Sequence, residues 1–294
     1  MITVTIDSRV KQVVSNIRNL PTPPIVFHQI QKVISSPNAS ATQVASILAE
    51  DPAMSVKVLK LTNSAFYGLS REIDSVKQAV VIVGMEAIRN LVLSASVLEM
   101  FKGKNVDEEY QEKFWRHSLA TAFCSRILAR AIKTRGIVDP DAAFSSGLLH
   151  DIGKIVVCGF LPDAYLKFNE ERMKDRVAPN YEIEERILGY NHCQIGTLLT
   201  SQWKLPAKLI EAITFHHHPQ QSTAADSMPY LVNLANSIAK KTFYKDEDAF
   251  LVGSPDKAVM EYLDISAHEM EAYGQMLHDE YLKAETFITL AGLN

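Results

Sequence analysis

Gly147-Leu148-Leu149-His150-Asp151-Ile152-Gly153-Lys154 sets a histidine and an aspartate side by side between apolar segments and two glycines. Imidazole nitrogen and carboxylate oxygen are good ligands for a divalent transition metal. The doublet stands at the end of a segment with a helix start signal. Asp139 suits the N-cap and Pro140 the first helical position, so the spacing predicts a helix running up to His150.

Helix signals dominate outward from this stretch. Ser40-Ala41-Thr42-Gln43, Ser75-Val76-Lys77-Gln78 and Ser266-Ala267-His268-Glu269 each have the form of a capping box. Asp51-Pro52 ends one helix and caps the next, and Gly84 breaks the apolar run from Ala79 to Phe101 into two helices. Further helices are expected over Phe114–Ala131, Ile183–Gln202, from Leu205-Pro206 to His216, and over Pro229–Phe243. Alternating strand patterns are nearly absent beyond positions 2–6. The chain reads as all-α, with soft connections at Lys102–Asp107, Arg172–Asn180, Gln220–Ser227 and Asp246–Pro255. The first of these is the expected domain boundary, giving parts 1–104 and 105–294.

The bulk numbers narrow the function classes. At 294 residues, with 47% hydrophobic and 22% charged residues, the composition is that of an ordinary globular protein with a large core. Residues 1–104 carry 11 Lys+Arg against 7 Asp+Glu, and residues 105–294 carry 19 against 27. The net charge of −4 and the absence of a basic stripe interleaved with aromatics disfavour nucleic acid as a partner. Glu86, Arg89, Asn90 and Glu99 interrupt the most apolar run, which argues against a membrane span. Cys124, Cys158 and Cys193 are scattered and odd in number, and Met1–Asp7 lacks a signal-peptide layout. A reducing cytoplasm is the expected location.

Five candidate ligand positions fall on five expected helices: His117, His150-Asp151, His192, His216-His217 and Asn236. Separate helices can converge such side chains in a bundle core. Asp151 could bridge two metals with an acidic water between them, and Lys154, one turn beyond His150, could hold a phosphate oxygen. Bland readings stand beside these. A single histidine such as His117 on an apolar face is commonly a hydrogen-bonded core residue, and His216-His217-His218 could be a solvated helix end. His268 and His278 sit on a charged helix and read as surface residues.

A family resemblance adds to this. Leu20-Pro21-Thr22-Pro23-Pro24, Ile47-Leu48-Ala49-Glu50-Asp51-Pro52, Asn63-Ser64-Ala65-Phe66-Tyr67-Gly68, Val83-Gly84-Met85 and Arg89-Asn90-Leu91-Val92 resemble the HDOD family, the HD-related output domain of bacterial signalling proteins. The resemblance runs from about Ile17 to at least Ala239, with order and spacing kept. It implies an all-helical, HD-superfamily-like bundle with an N-terminal helical subdomain, and a non-enzymatic role in most members. It also implies that His117 and His150-Asp151 match the HD set. His192, Lys154, Trp203-Lys204-Leu205-Pro206 and His216-His217 look like the HD-GYP branch, which degrades cyclic di-GMP.

Departures from that pattern bear on activity. Asn236 stands where the family's last aspartate falls, Lys113 where HD-GYP proteins carry a glutamate, and His218-Pro219-Gln220-Gln221 lacks the Gly-Tyr-Pro loop. The leading expectation is a bacterial signal-transduction module with a partly retained HD metal site. The alternative is a metal-dependent phosphohydrolase acting on a nucleotide or other phosphate ester, with Asp151 and Lys154 as catalytic residues. The implied cofactor is a divalent ion (Fe, Mn, Ni, Mg or Zn), and the implied partners are signalling proteins or a nucleotide or phosphate ligand.

Overall fold

The computed structural model describes residues 8–17, 20–101, 107–132, 138–222, 227–243, 256–284 and 287–289. In chain order the helices are α1 (Ser8–Ser15), α2 (Ile25–Ile34), α3 (Ala41–Ala49), α4 (Pro52–Thr62), α5 (Val76–Val83), α6 (Met85–Met100), α7 (Glu108–Ala131), α8 (Pro140–Leu149) and α9 (Ile152–Phe160). They continue with α10 (Pro162–Lys174), α11 (Asn180–Leu188), α12 (His192–Gln202), α13 (Ala207–Phe215), α14 (Met228–Phe243), α15 (Lys257–Leu263) and α16 (Ala267–Leu282). No strand occurs among the described residues, so the fold is all-α. The alternation at positions 2–6 and the connections at 102–106 and 246–255 lie outside the described residues.

Contacts divide the chain into two units that interleave in sequence. One comprises residues 21–102 and 279–294, the other residues 1–20 and 103–278.

In the smaller unit the local signals set the helix ends. Ser40 and Gln43 form a reciprocal capping box, and the Asp51 carboxylate accepts from the Met54 amide with Pro52 at the first helical position. The Ser75 box is half made: Ser75 caps the Gln78 amide, but the Gln78 side chain accepts from Asp74 instead of Ser75. Gly84, at φ +93°, separates α5 from α6, and the two bend by 116°. Residues Ala87 to Leu98 of α6 are nearly all buried, and no single described helix is long and apolar enough to cross a membrane.

The larger unit is built on α7, a 24-residue helix whose middle is buried on all sides. Helices α8 and α14 pack along it. Two glycines allow the approaches that matter for the site. A Cβ at Gly147 would stand 2.7 Å from the Thr121 carbonyl oxygen and 2.8 Å from the Ala122 Cα, so α8 touches the α7 backbone. A Cβ at Gly153 would stand 1.9 Å from the His192 carbonyl oxygen. Helix α9 therefore meets the start of α12 backbone to backbone.

The helix expected over Ile183–Gln202 is two helices. Gly189 adopts a left-handed conformation at φ +76° and ends α11, and Asn191 with Gln194 makes a capping box that starts α12 at His192. The left-handed glycine and the new cap together outcompete helix continuation. Gly153→Ala is expected to destabilise the fold by about 3 kcal/mol, the upper part of the usual overpacking range. Thermal unfolding followed by circular dichroism checks this, and an unchanged Tm contradicts it.

Candidate metal centre

The site is made at helix ends. His150 closes α8, Asp151 precedes α9, His192 opens α12, and His216 closes α13 with His217 next to it. Only His117, on α7, and Asn236, on α14, lie within helices. Helix ends let neighbouring residues such as His150 and Asp151 point into one space, which a continuous helix would splay apart.

The six histidine and aspartate positions come together around the Asp151 carboxylate, which is 1% exposed. His192 Nε2 lies 3.1 Å and His216 Nε2 3.6 Å from Asp151 Oδ1. His150 Nε2 lies 3.2 Å and His117 Nε2 3.7 Å from Oδ2. His217 Nε2 is 3.2 Å from His192 Nε2. Two ligand atoms bound to one ion at about 2.1 Å each, near a right angle, are about 3 Å apart, which matches this spacing.

The other ring nitrogens are already committed. His150 Nδ1 is 2.7 Å from the Gly147 carbonyl oxygen, His216 Nδ1 is 3.0 Å from the Ile213 carbonyl oxygen, and His192 Nδ1 is 2.6 Å from Glu184 Oε2. Each contact makes Nδ1 the donor and leaves Nε2 facing Asp151, the ring orientation seen where an outer hydrogen bond positions a metal-bound imidazole. His150 Nε2 and Asp151 Oδ1 are buried without a hydrogen bond of good geometry. Buried polar atoms left in this state need a partner, and an ion supplies one. The donor set of imidazoles and one carboxylate fits a divalent transition metal.

Electrostatics agree. Burial pushes His150 down to about 4, and burial together with neighbouring histidines holds His117 and His217 well below the ordinary range. Burial would raise Asp151, but His150, Lys154 and His192 overcome it and keep the carboxylate ionised well below its usual range. Burial would lower His192, but Glu184 and Cys193 overcome it and hold the imidazolium well above its usual range. His216 is raised in the same way, by Cys193 and Asp151 against burial.

Lys154 Nζ donates to Asp151 Oδ2 at 2.6 Å. Asn236, 5% exposed, lines the same pocket as His117 and Asp151, and its Oδ1 is buried without a hydrogen bond. Lys113 also lines this pocket but is exposed and bonded to Glu109 at 2.7 Å. The solvated-end reading of the histidine run fails for His216, which is fully buried, while His268 and His278 are exposed.

The pocket has a volume of about 430 Å³ and reaches from Asp151 to Arg172, Tyr181 and Lys240. Sequence reasoning missed these three and Glu184. Glu184 stands eight residues before His192, a separation that means nothing until Gly189 turns the chain. Cys193 Sγ is 3.8 and 3.9 Å from the two nitrogens of His216. The sulfur, with His192, His216 and His217, forms a group whose ligand atoms lie within 4.8 Å of one another, and His216 and His192 overcome burial to pull the thiol down to about 6.

The family model of the HDOD domain matches residues 20–219. The chain belongs to the HDOD domain family. The match covers every histidine of the centre and stops before Asn236 and Lys240. An uncharacterized protein of Treponema pallidum (strain Nichols) is 25% identical over 206 residues, 70% of this HDOD chain but only 39% of that relative. A solved structure from Shewanella amazonensis SB2B, named as a candidate phosphohydrolase, has a TM-score of 0.74 at 23% identity and covers 97% of this chain and 98% of its own. An HDOD domain protein of unknown function from Geobacter sulfurreducens has a TM-score of 0.71 at 21% identity, covering 97% of each chain. These likenesses establish the shared fold.

Two outcomes follow from the geometry. Glu184→Gln is expected to weaken metal binding by about 10–100-fold, read by competition against a chelator. An unchanged affinity contradicts the orienting role. Imidazolium cannot ligate, so His192 and His216 must lose protons on loading. Metal affinity should therefore fall as pH falls through their raised values. Titration calorimetry in buffers of different ionisation enthalpy should show proton release.

Proposed function

We propose that the protein is a regulatory HDOD module whose HD-type centre holds a divalent metal and receives a phosphate-bearing ligand. One observation carries this reading: four imidazole Nε2 atoms surround the two oxygens of a single buried carboxylate, at the floor of an open pocket. A bound metal would supply Lewis acidity and an acidified water there.

The chain's own residues account for the rest. Asp151, His150, His117, His192, His216 and His217 would hold the metal, with Asn236 offering a neutral amide oxygen from the α14 wall. Lys154 and Lys240 line the pocket as cations suited to phosphate oxygens. Burial and the nearby Lys154 push Lys240 down to about 8, so an arriving anion meets positive charge that is poorly compensated. Arg172 braces the rim by donating to the Ala178 carbonyl oxygen at 2.6 Å. Tyr181 stacks on His217 at 4.4 Å and closes one side. Signalling through a protein partner follows from the family's regulatory character.

A second reading, metal-dependent phosphohydrolysis, is favoured by the pocket's direct access to Asp151 and Lys154 and by the name of the Shewanella amazonensis SB2B structure. One experiment separates the two. Manganese-loaded protein is titrated with inorganic phosphate and a mononucleotide by calorimetry, then assayed on bis(p-nitrophenyl) phosphate. The regulatory reading expects binding without turnover. Turnover that disappears in Asp151→Asn establishes the hydrolase, and absence of both binding and turnover sinks the phosphate reading.

A further inference from the structure

The pocket has two unlike kinds of wall. Lys154 and Lys240 line it with positive charge. Phe114 on α7 and Val177 and Pro179 in the turn between α10 and α11 line it with hydrocarbon. Val177 lines the pocket and is nevertheless 84% exposed. An aliphatic side chain left at a pocket mouth gains free energy when a ligand covers it.

The turn meets a ligand through that side chain, because its backbone is already bonded. Asp175 accepts from the Val177 and Ala178 amides at 3.2 and 3.0 Å, and Arg186 donates to the same carboxylate at 2.9 Å. Arg172 takes up the Ala178 carbonyl oxygen at 2.6 Å. The apolar surface continues along α10, none of whose residues is buried. Met173 is 69% and Leu166 59% exposed, and their spacing of seven puts them on one face of the helix. The adjoining face is that of Tyr165, whose ring meets Tyr110 of the pocket wall at 5.3 Å, and of Arg172, which lines the pocket.

Charge decides what covers this surface. Asp163, Lys167, Glu170 and Lys174 alternate in sign beside the stripe, and residues 105–294 carry 19 Lys+Arg against 27 Asp+Glu. Such a face does not attract an anionic bilayer, which needs a basic cluster. The positive charge is concentrated inside the pocket, where it suits a phosphate.

We infer that the pocket takes a soluble phosphate ester of an apolar alcohol, with its phosphate at Lys154 and Lys240 and its hydrocarbon on Phe114, Pro179 and Val177, toward Met173. This rests on the phosphate-binding reading above and names the rest of the ligand.

The test is a calorimetric series on the full manganese-loaded chain with inorganic phosphate and with methyl, butyl and hexyl phosphate. Affinity should rise along the series, by up to about fourfold for each methylene covered. Val177→Ser combined with Met173→Ser, both exposed positions, should flatten the slope, with folding checked by circular dichroism. Methyl and hexyl phosphate binding alike overturns the inference while leaving phosphate binding intact, and so does an unchanged slope in the double variant. Ribose 5-phosphate binding more tightly than hexyl phosphate overturns the apolar alcohol in favour of a hydroxylated one. Cosedimentation with phosphatidic acid vesicles, without binding of hexyl phosphate, overturns the soluble source in favour of a bilayer. No binding of inorganic phosphate or of any ester overturns the phosphate reading itself.

Discussion

A buried aspartate ringed by imidazoles is the constraint on which the larger unit turns. Removing a carboxylate from water is costly unless opposite charge and hydrogen bonds replace the lost solvation. Asp151 gets that compensation from four separate elements: Lys154 on α9, His150 at the end of α8, His192 at the start of α12 and His216 at the end of α13. A histidine cluster without the carboxylate would be mutually repulsive on protonation, and a carboxylate without the cluster would be unsolvated.

Bringing four helix ends to one point requires close backbone approach. Gly147 lets α8 sit on α7, and Gly153 lets α9 sit on α12. These two glycines flank the doublet in sequence because they flank it in space. Asn233 adds a tie by donating Nδ2 to the His216 carbonyl oxygen at 2.7 Å, which joins α14 to the end of α13. The site is thus closely packed at the histidine cluster and open where it faces the pocket.

Much of this was legible in the residues. Capping signals at Ser40, Asp51, Asp139 and Ser266 act locally, so they show in the sequence, and the structure realises each of them. The histidine cluster was legible because four histidine positions and one aspartate fall on separate expected helices, and the structure brings them together. The Gly189 break was missed because helical periodicity continues across it while a left-handed glycine and a new cap at Asn191 end it. Glu184, Arg172, Tyr181 and Lys240 were not legible at all. Their roles come from a turn and from packing between distant segments, which a pattern along one chain does not encode.

Helix α11 joins two features that were described apart. It presents Tyr181 to the ring of His217 and, one turn later, Glu184 to the imidazole of His192. Only Ile183 and Glu184 of its nine residues are buried, so the helix is anchored through one narrow stripe. A displacement of this one helix would reach two histidine rings of the cluster at once. The two contacts are therefore expected to tighten or loosen together, because one short helix carries both.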